Sequence, residues 1–125
     1  MPDFLEAETE ELALEKLHEM GCTDGLPVVI PTQERVERLI LATGLDGDMV
    51  LGEMGPGMGV ATIEKVCVAA VMAGCLPDYM PIVVAAVKAA VQPEFDLREL
   101  QATTHCTAPL ILSLIHISEP TRLGA

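Results

Sequence analysis

Residue types able to do acid–base, nucleophilic or anion-binding chemistry fall in four short stretches of this 125-residue chain. Thr103-Thr104-His105-Cys106-Thr107 sets an imidazole beside a thiol, just ahead of an apolar run. An imidazole can act as general base or metal ligand, and a neighbouring cation favours the thiolate form of a cysteine. Successive side chains on an extended segment point to opposite faces, however, so His105 and Cys106 are not expected to act together. His105 is the candidate taken from this stretch, with a purely structural histidine as the competing reading.

The second stretch is the glycine-rich loop Gly52-Glu53-Met54-Gly55-Pro56-Gly57-Met58-Gly59, which leads to Thr62 and a helix. Glycines let backbone N–H groups approach an anion, and a helix N-terminus adds positive potential. Gly57, Gly59 and Thr62 are therefore candidate ligand contacts. The loop matches neither the P-loop nor the dinucleotide fingerprint, and Pro56 removes a donor, so a plain strand-to-helix connection competes with the anion cradle. Glu64 and Lys65 lie in the first turn of the helix, where either can transfer a proton if the geometry allows. Thr23-Asp24-Gly25 is a third candidate binding element, although Asp24 can equally hydrogen-bond its own turn. Cys67 and Cys75 sit among Val, Ala and Met, which favours buried structural thiols, with Cys75 at a helix end where exposure is open to it. Cys22 and Cys106 complete the set. The four contain no C-x-x-C pair, so no metal site is expected, and no cofactor is specified.

These residues need elements to position them. Residues 4–20 read as an acidic surface helix with Leu5, Leu12, Leu17 and Met20 on one stripe, closed by Gly21. A turn at residues 23–27 precedes a short strand at 28–30. Thr32 then caps a helix over 33–43 that turns Val36, Leu39 and Ile40 inward, and Gly44 closes it. A strand is predicted around 49–53, with the glycine loop after it. Thr62 caps a helix running to about residue 73 that Gly74 closes, and a second Ala-rich helix spans 77–91 with Pro81 in its first turn. A helical turn at 96–100 and a strand at 107–111 finish the pattern. The fold class is α/β, with short strands alternating with helices and two Ala-rich helices at the centre. Residues 1–21 form an acidic N-terminal helix, 22–111 a partial α/β domain and 112–125 a tail.

Composition excludes several functions. Half the residues are hydrophobic, so material for a core is ample. Nineteen acids against seven bases give a formal charge of −12, which argues against a nucleic-acid partner, since phosphates require a basic face. Phe4, Tyr79 and Phe95 are too few to form base-stacking platforms. The chain opens Met1-Pro2-Asp3 and continues acidic, unlike a secretory signal, which points to a cytoplasmic setting with reduced thiols. No membrane partner is expected. The uncharged run at 66–77 is shorter than the ~20 residues of a span, and Pro77, Asp78, Pro81 and Lys88 interrupt any longer apolar stretch.

Residues 112–122 read LSLIHISEPTR, which resembles the conceptual translation of a transposase-type sequencing adapter. That resemblance implies that the authentic sequence ends near Ile111 and that the natural protein continues with a C-terminal domain absent here. His116 and Arg122 then carry no functional information.

A second resemblance covers Cys22 to about Ile111. Thr23-Asp24-Gly25-Leu26-Pro27-Val28-Val29, with Pro31-Thr32 and Glu34-Arg35-Val36 after it, is similar to the TDGLPVV/PT-x-ERV block of an uncharacterised bacterial family. Ala61-Thr62-Ile63-Glu64-Lys65-Val66, Ala70-Val71-Met72-Ala73-Gly74-Cys75 and Ala102-Thr103-Thr104-His105 resemble its later blocks. The family is associated with UGSC-motif proteins, in which selenocysteine or cysteine precedes Gly-Ser-Cys. The resemblance implies a cytoplasmic enzyme with a thiol-linked or organic substrate. No such string occurs here, so no redox dyad is carried over, and Cys106 and Ile30 stand where the family pattern has proline.

Two functions remain open on the sequence. The first is the N-terminal part of a thiol- or selenol-associated enzyme whose pocket joins the Thr23–Gly25 turn, the glycine loop and His105. The second is a non-catalytic module that binds a small molecule or assembles with a further domain or second copy. An enzyme predicts that Asp24, Glu64 and His105 converge on one concavity.

Overall fold

Helix α3 (Ile63–Met72) is the apolar centre around which the chain folds. Its sequence, IEKVCVAAVM, carries a charge only in the first turn, and it buries Ile63, Cys67, Ala70 and Val71. These positions recur at three- and four-residue spacing, so they share one face. In the computed structural model, which describes residues 4–112, that face meets Val36 and Leu39 of α2 (Gln33–Thr43) and Met80 and Val84 of α4 (Met80–Ala90). Ile63, Cys67 and Met80 are fully buried. Burial of an Ile or Met side chain stabilises by roughly 1.5–3 kcal/mol, so these contacts dominate a small core.

The described residues form five α-helices and one two-stranded antiparallel sheet, a mixed α/β domain. Strands β1 (Val50–Met54) and β2 (Gly59–Thr62) pair as a hairpin, with Gly52 opposite Ala61 and Met54 opposite Gly59, and with a bulge between Val50 and Gly52. The glycine-rich segment is therefore the end of the first strand and the tip of a hairpin, with Gly59 opening the second strand, where a strand-to-helix loop was expected. β1 packs on α4, and the Gly52 Cα faces Val91 so closely that a Cβ there would lie 2.9 Å from its Cγ2.

Local signals set the helix limits. The Thr32 and Thr62 hydroxyls accept the Arg35 and Lys65 N–H groups, capping α2 and α3. Gly44 and Gly74, at φ +66° and +80°, supply the left-handed residues that close them. Pro81 lies in the first turn of α4, after a 3-10 turn at Pro77–Tyr79. Two further short elements, a 3-10 turn at Pro93–Phe95 and helix α5 (Leu97–Ala102), lie near the expected turn at 96–100.

Three expectations need correction. Helix α1 spans Glu10–Glu19, not 4–20, because the Thr9 hydroxyl accepts the Leu12 N–H and fixes the start there. It buries no residue, and Leu12 and Met20 of its apolar stripe are exposed. Residues 28–30 form no strand: Pro27 and Pro31 bracket them and remove donors, and the Val29 N–H bonds the Met72 carbonyl at the end of α3. Residues 107–111 are likewise not a strand, having no ladder partner among the described residues, and Leu110 and Ile111 are exposed. The adapter-like stretch, except Leu112, lies outside the described residues. Among those residues no helix is long and apolar enough to cross a membrane.

The hairpin tip also meets α5. A Cβ on Gly55 would lie 2.9 Å from Arg98 Cβ and 3.0 Å from its Cα and N, and backbone atoms cannot rotate away. Gly57 has nothing within 4 Å. Gly55→Ala is expected to cost about 1–3 kcal/mol in urea unfolding, the usual range for overpacking, while Gly57→Ala changes stability by only a few tenths.

Candidate functional site

The sequence candidates occupy separate parts of the molecule. Glu64 and Lys65 lie in the first turn of α3, with Glu64 half-buried and Lys65 exposed. The Lys65 ammonium donates to the Val60 carbonyl at 3.2 Å. The N–H groups that an anion cradle would need here are already engaged. Ile63 N–H donates to the Met49 carbonyl and Glu64 N–H to the Gly47 carbonyl, both at 2.9 Å, and Lys65 N–H to the Thr62 hydroxyl at 3.3 Å. Gly57 and Gly59 sit in open space at the hairpin tip and on β2. These backbone donors are spent on the chain itself.

The Thr23–Gly25 turn satisfies itself in a similar way. Asp24 Oδ1 accepts the Leu26 N–H at 3.0 Å, and Thr23 Oγ1 lies 3.4 Å from His18 Nδ1. Gly25, at φ +90°, makes the turn. His105 is exposed, and its N–H donates to the Thr103 hydroxyl while its carbonyl accepts from the Thr107 N–H. Thr103 and Thr107 both line a cavity of about 320 Å³ beside α5, together with Phe95, Asp96, Glu99 and Leu100. His105 therefore stands in the loop bordering this acidic hollow without lining it. Neither this cavity nor the second cleft is lined by Thr23, Asp24, Gly25, Gly57, Gly59, Thr62, Glu64, Lys65 or His105.

That second cleft, of about 160 Å³, has a different chemistry. It lies between α2 and the turn after α3, and its walls include Val29, Arg35, Arg38, Val71, Cys75 and Pro77. Arg35 and Arg38 are three apart on α2, so they project to the same side of the helix. Arg35 Nη1 donates to the Ile30 carbonyl at 2.9 Å and lies 3.2 Å from Glu10 Oε1 of α1. Arg38 Nη2 pairs with Glu34 Oε1 at 3.1 Å, with both side chains well exposed. A guanidinium carries five N–H donors, so these contacts leave donors on both arginines. Opposite them, the Cys75 N–H bonds the Ala70 carbonyl and the Gly74 N–H the Val71 carbonyl, each at 2.9 Å, which fixes the thiol-bearing turn. Sequence reasoning missed both arginines as site residues. Their i, i+3 spacing was a visible signal, but the crossing of the Gly74-Cys75 turn in front of them is tertiary.

All four cysteines are free thiols. Among the described residues, no three His, Cys, Asp or Glu side chains gather in a way that could hold a metal ion. Comparisons of the chain with protein-family models, with curated proteins and with solved structures find no match.

The thiols differ by environment. Cys22 and Cys106 are exposed, Cys75 is half-buried, and Cys67 is sealed in the core. Burial raises the Cys67 thiol from 9.0 to about 11, because the apolar interior disfavours the thiolate. The unfolded chain then loses this proton before the folded one does. Stability from this group is full below pH 9 and falls as pH rises through 11. Comparing urea midpoints of the protein and Cys67→Ala across this range should give a difference that is constant below pH 9 and shrinks above it.

Proposed function

We propose that this chain is a small-ligand-binding module whose ligand is a small organic anion held by Arg35 and Arg38. The observation that carries the reading is the placing of two guanidiniums in the wall of one cleft, in a chain of net charge −12 with only seven basic residues. Planar guanidiniums match carboxylate geometry, and the apolar walls of Val29, Val71 and Pro77 suit a short carbon skeleton. The Glu10 carboxylate on Arg35 is an internal precedent for the ligand's own group. A cleft of about 160 Å³ is small beside the ~300–1,000 Å³ of drug-sized sites, which restricts the ligand to a few heavy atoms.

Catalysis through His105, Glu64 and Lys65 draws less support, because His105 lies on a different segment from the Glu64-Lys65 pair of α3 and none of the three lines either of the two hollows described. A thiol-linked role draws its support from Cys75 in the arginine cleft. A cytoplasmic setting, which keeps that thiol reduced, belongs to the same reading.

Titration with succinate, monitored by NMR of the arginine Nε–H and backbone amide signals, tests the proposal. Saturable shifts should centre on Val29, Arg35, Arg38 and residues 74–76, while putrescine, a dication of similar length, should produce none. Arg38→Gln should weaken binding about tenfold, as expected for loss of a charge-assisted hydrogen bond. Glu10→Gln should tighten it, because the internal competitor loses its charge. Non-saturating or scattered shifts would overturn the reading.

A further inference from the structure

We propose that Cys75 is a site of thiol–disulfide exchange with small disulfides that carry carboxylates, the cleft arginines holding a carboxylate while the thiol reacts. The inference rests on the anion-binding reading of the cleft and extends it to a reactive ligand class.

Three features set Cys75 apart from the other thiols. Cys67 is fully enclosed by the core, so a reagent cannot reach it without unfolding. Cys22 and Cys106 are exposed and line neither of the two hollows described. Cys75 lines the second cleft together with Arg35 and Arg38. Backbone bonds from Gly74 and Cys75 to the last turn of α3 hold it in place. A carboxylate bound by the guanidiniums raises the local concentration of the attached disulfide at the thiol, which accelerates a bimolecular step without changing its chemistry.

The reaction balances without further reagents. Cys75 releases its proton to solvent, and the thiolate sulfur attacks one sulfur of R–S–S–R. The original S–S bond breaks as the Cys75–S–S–R bond forms, and the departing RS⁻ takes up a proton. Cys75 is oxidised to the mixed disulfide, and the released half is reduced to a thiol. An excess of small thiol reverses the exchange. The adduct occupies the space proposed for the organic anion, so the two exclude each other.

The test uses the full chain with Cys22→Ser and Cys106→Ser, leaving Cys67 and Cys75, and its fold is checked by circular dichroism. Rate constants are measured with the small dianionic disulfide dithiodiglycolate and with the neutral bis(hydroxyethyl) disulfide, each normalised to a free small thiol. Peptide mapping should place the adduct on Cys75, and further substitution of Cys75→Ser should abolish the fast phase. The anionic reagent should be favoured by roughly tenfold, the preference declining at raised salt and in Arg38→Gln. Equal normalised rates, a preference unaltered by Arg38→Gln, or an adduct on Cys67 would overturn the proposal. If succinate binds the cleft while Cys75 shows no anionic preference, exchange fails alone. If succinate does not bind but the anionic preference persists and depends on Arg38, the module reading fails and exchange at Cys75 stands.

Discussion

Helix α3 can be buried only because both of its ends are satisfied by the chain itself. A helix leaves its first N–H and last C=O groups without partners, and leaving them bare in an apolar interior costs several kcal/mol. Here the Gly47 and Met49 carbonyls and the Thr62 hydroxyl take the first donors, while the N–H groups of Val29, Gly74 and Cys75 take carbonyls at the other end. Those partners come from the turn before β1, the helix cap, the extended segment at 28–30 and the turn toward α4. Satisfying one helix therefore places most of the connecting segments of the domain.

The same closure separates the two ends chemically. At the N-terminal end the donors are consumed, so the glycines beside it serve geometry: Gly55 lets α5 approach the hairpin, and Gly52 lets α4 do so. At the C-terminal end the closed Gly74-Cys75 turn faces α2 across a concavity. Arg35 and Arg38 overhang that concavity, and Glu10 and Glu34 partly neutralise them. Positive charge is thus concentrated at one point of a strongly acidic surface. The side chains are partly exposed, so salt screens their ion pairs and each pair contributes little to stability.

How much of the fold was readable in the sequence depends on the range of the interactions involved. Helices α2 and α3 were legible because their caps and closures act within four residues: Thr32 with Gly44, and Thr62 with Gly74. The inward faces of Val36 and Leu39 come from periodicity alone. Strands were harder, because a strand exists only where a partner exists. Val28, Val29 and Ile30 have the composition of a strand but dock on a helix end, while Gly59 and Val60 pair with β1 despite a glycine-rich sequence. The cleft was less legible still. Arg35 and Cys75 are forty residues apart in sequence, and no local rule brings a helix face to a distant turn. Isolated His105 and the Glu64-Lys65 pair were conspicuous by residue type, yet residue type does not specify concavity.

Helix α1 is held differently from the rest of the domain. It buries no side chain, and its side-chain link to α2 is the ion pair between Glu10 and Arg35. Nothing in the apolar core changes if that pair opens, so α1 can unravel at a free-energy cost far below that of global unfolding. Its amide protons should exchange with solvent at close to peptide rates, while those of α3 wait for the whole core to open. The domain thus has two tiers of stability within one chain. Proteases will meet the acidic helix first, and a cut there leaves the tier built on α3 intact.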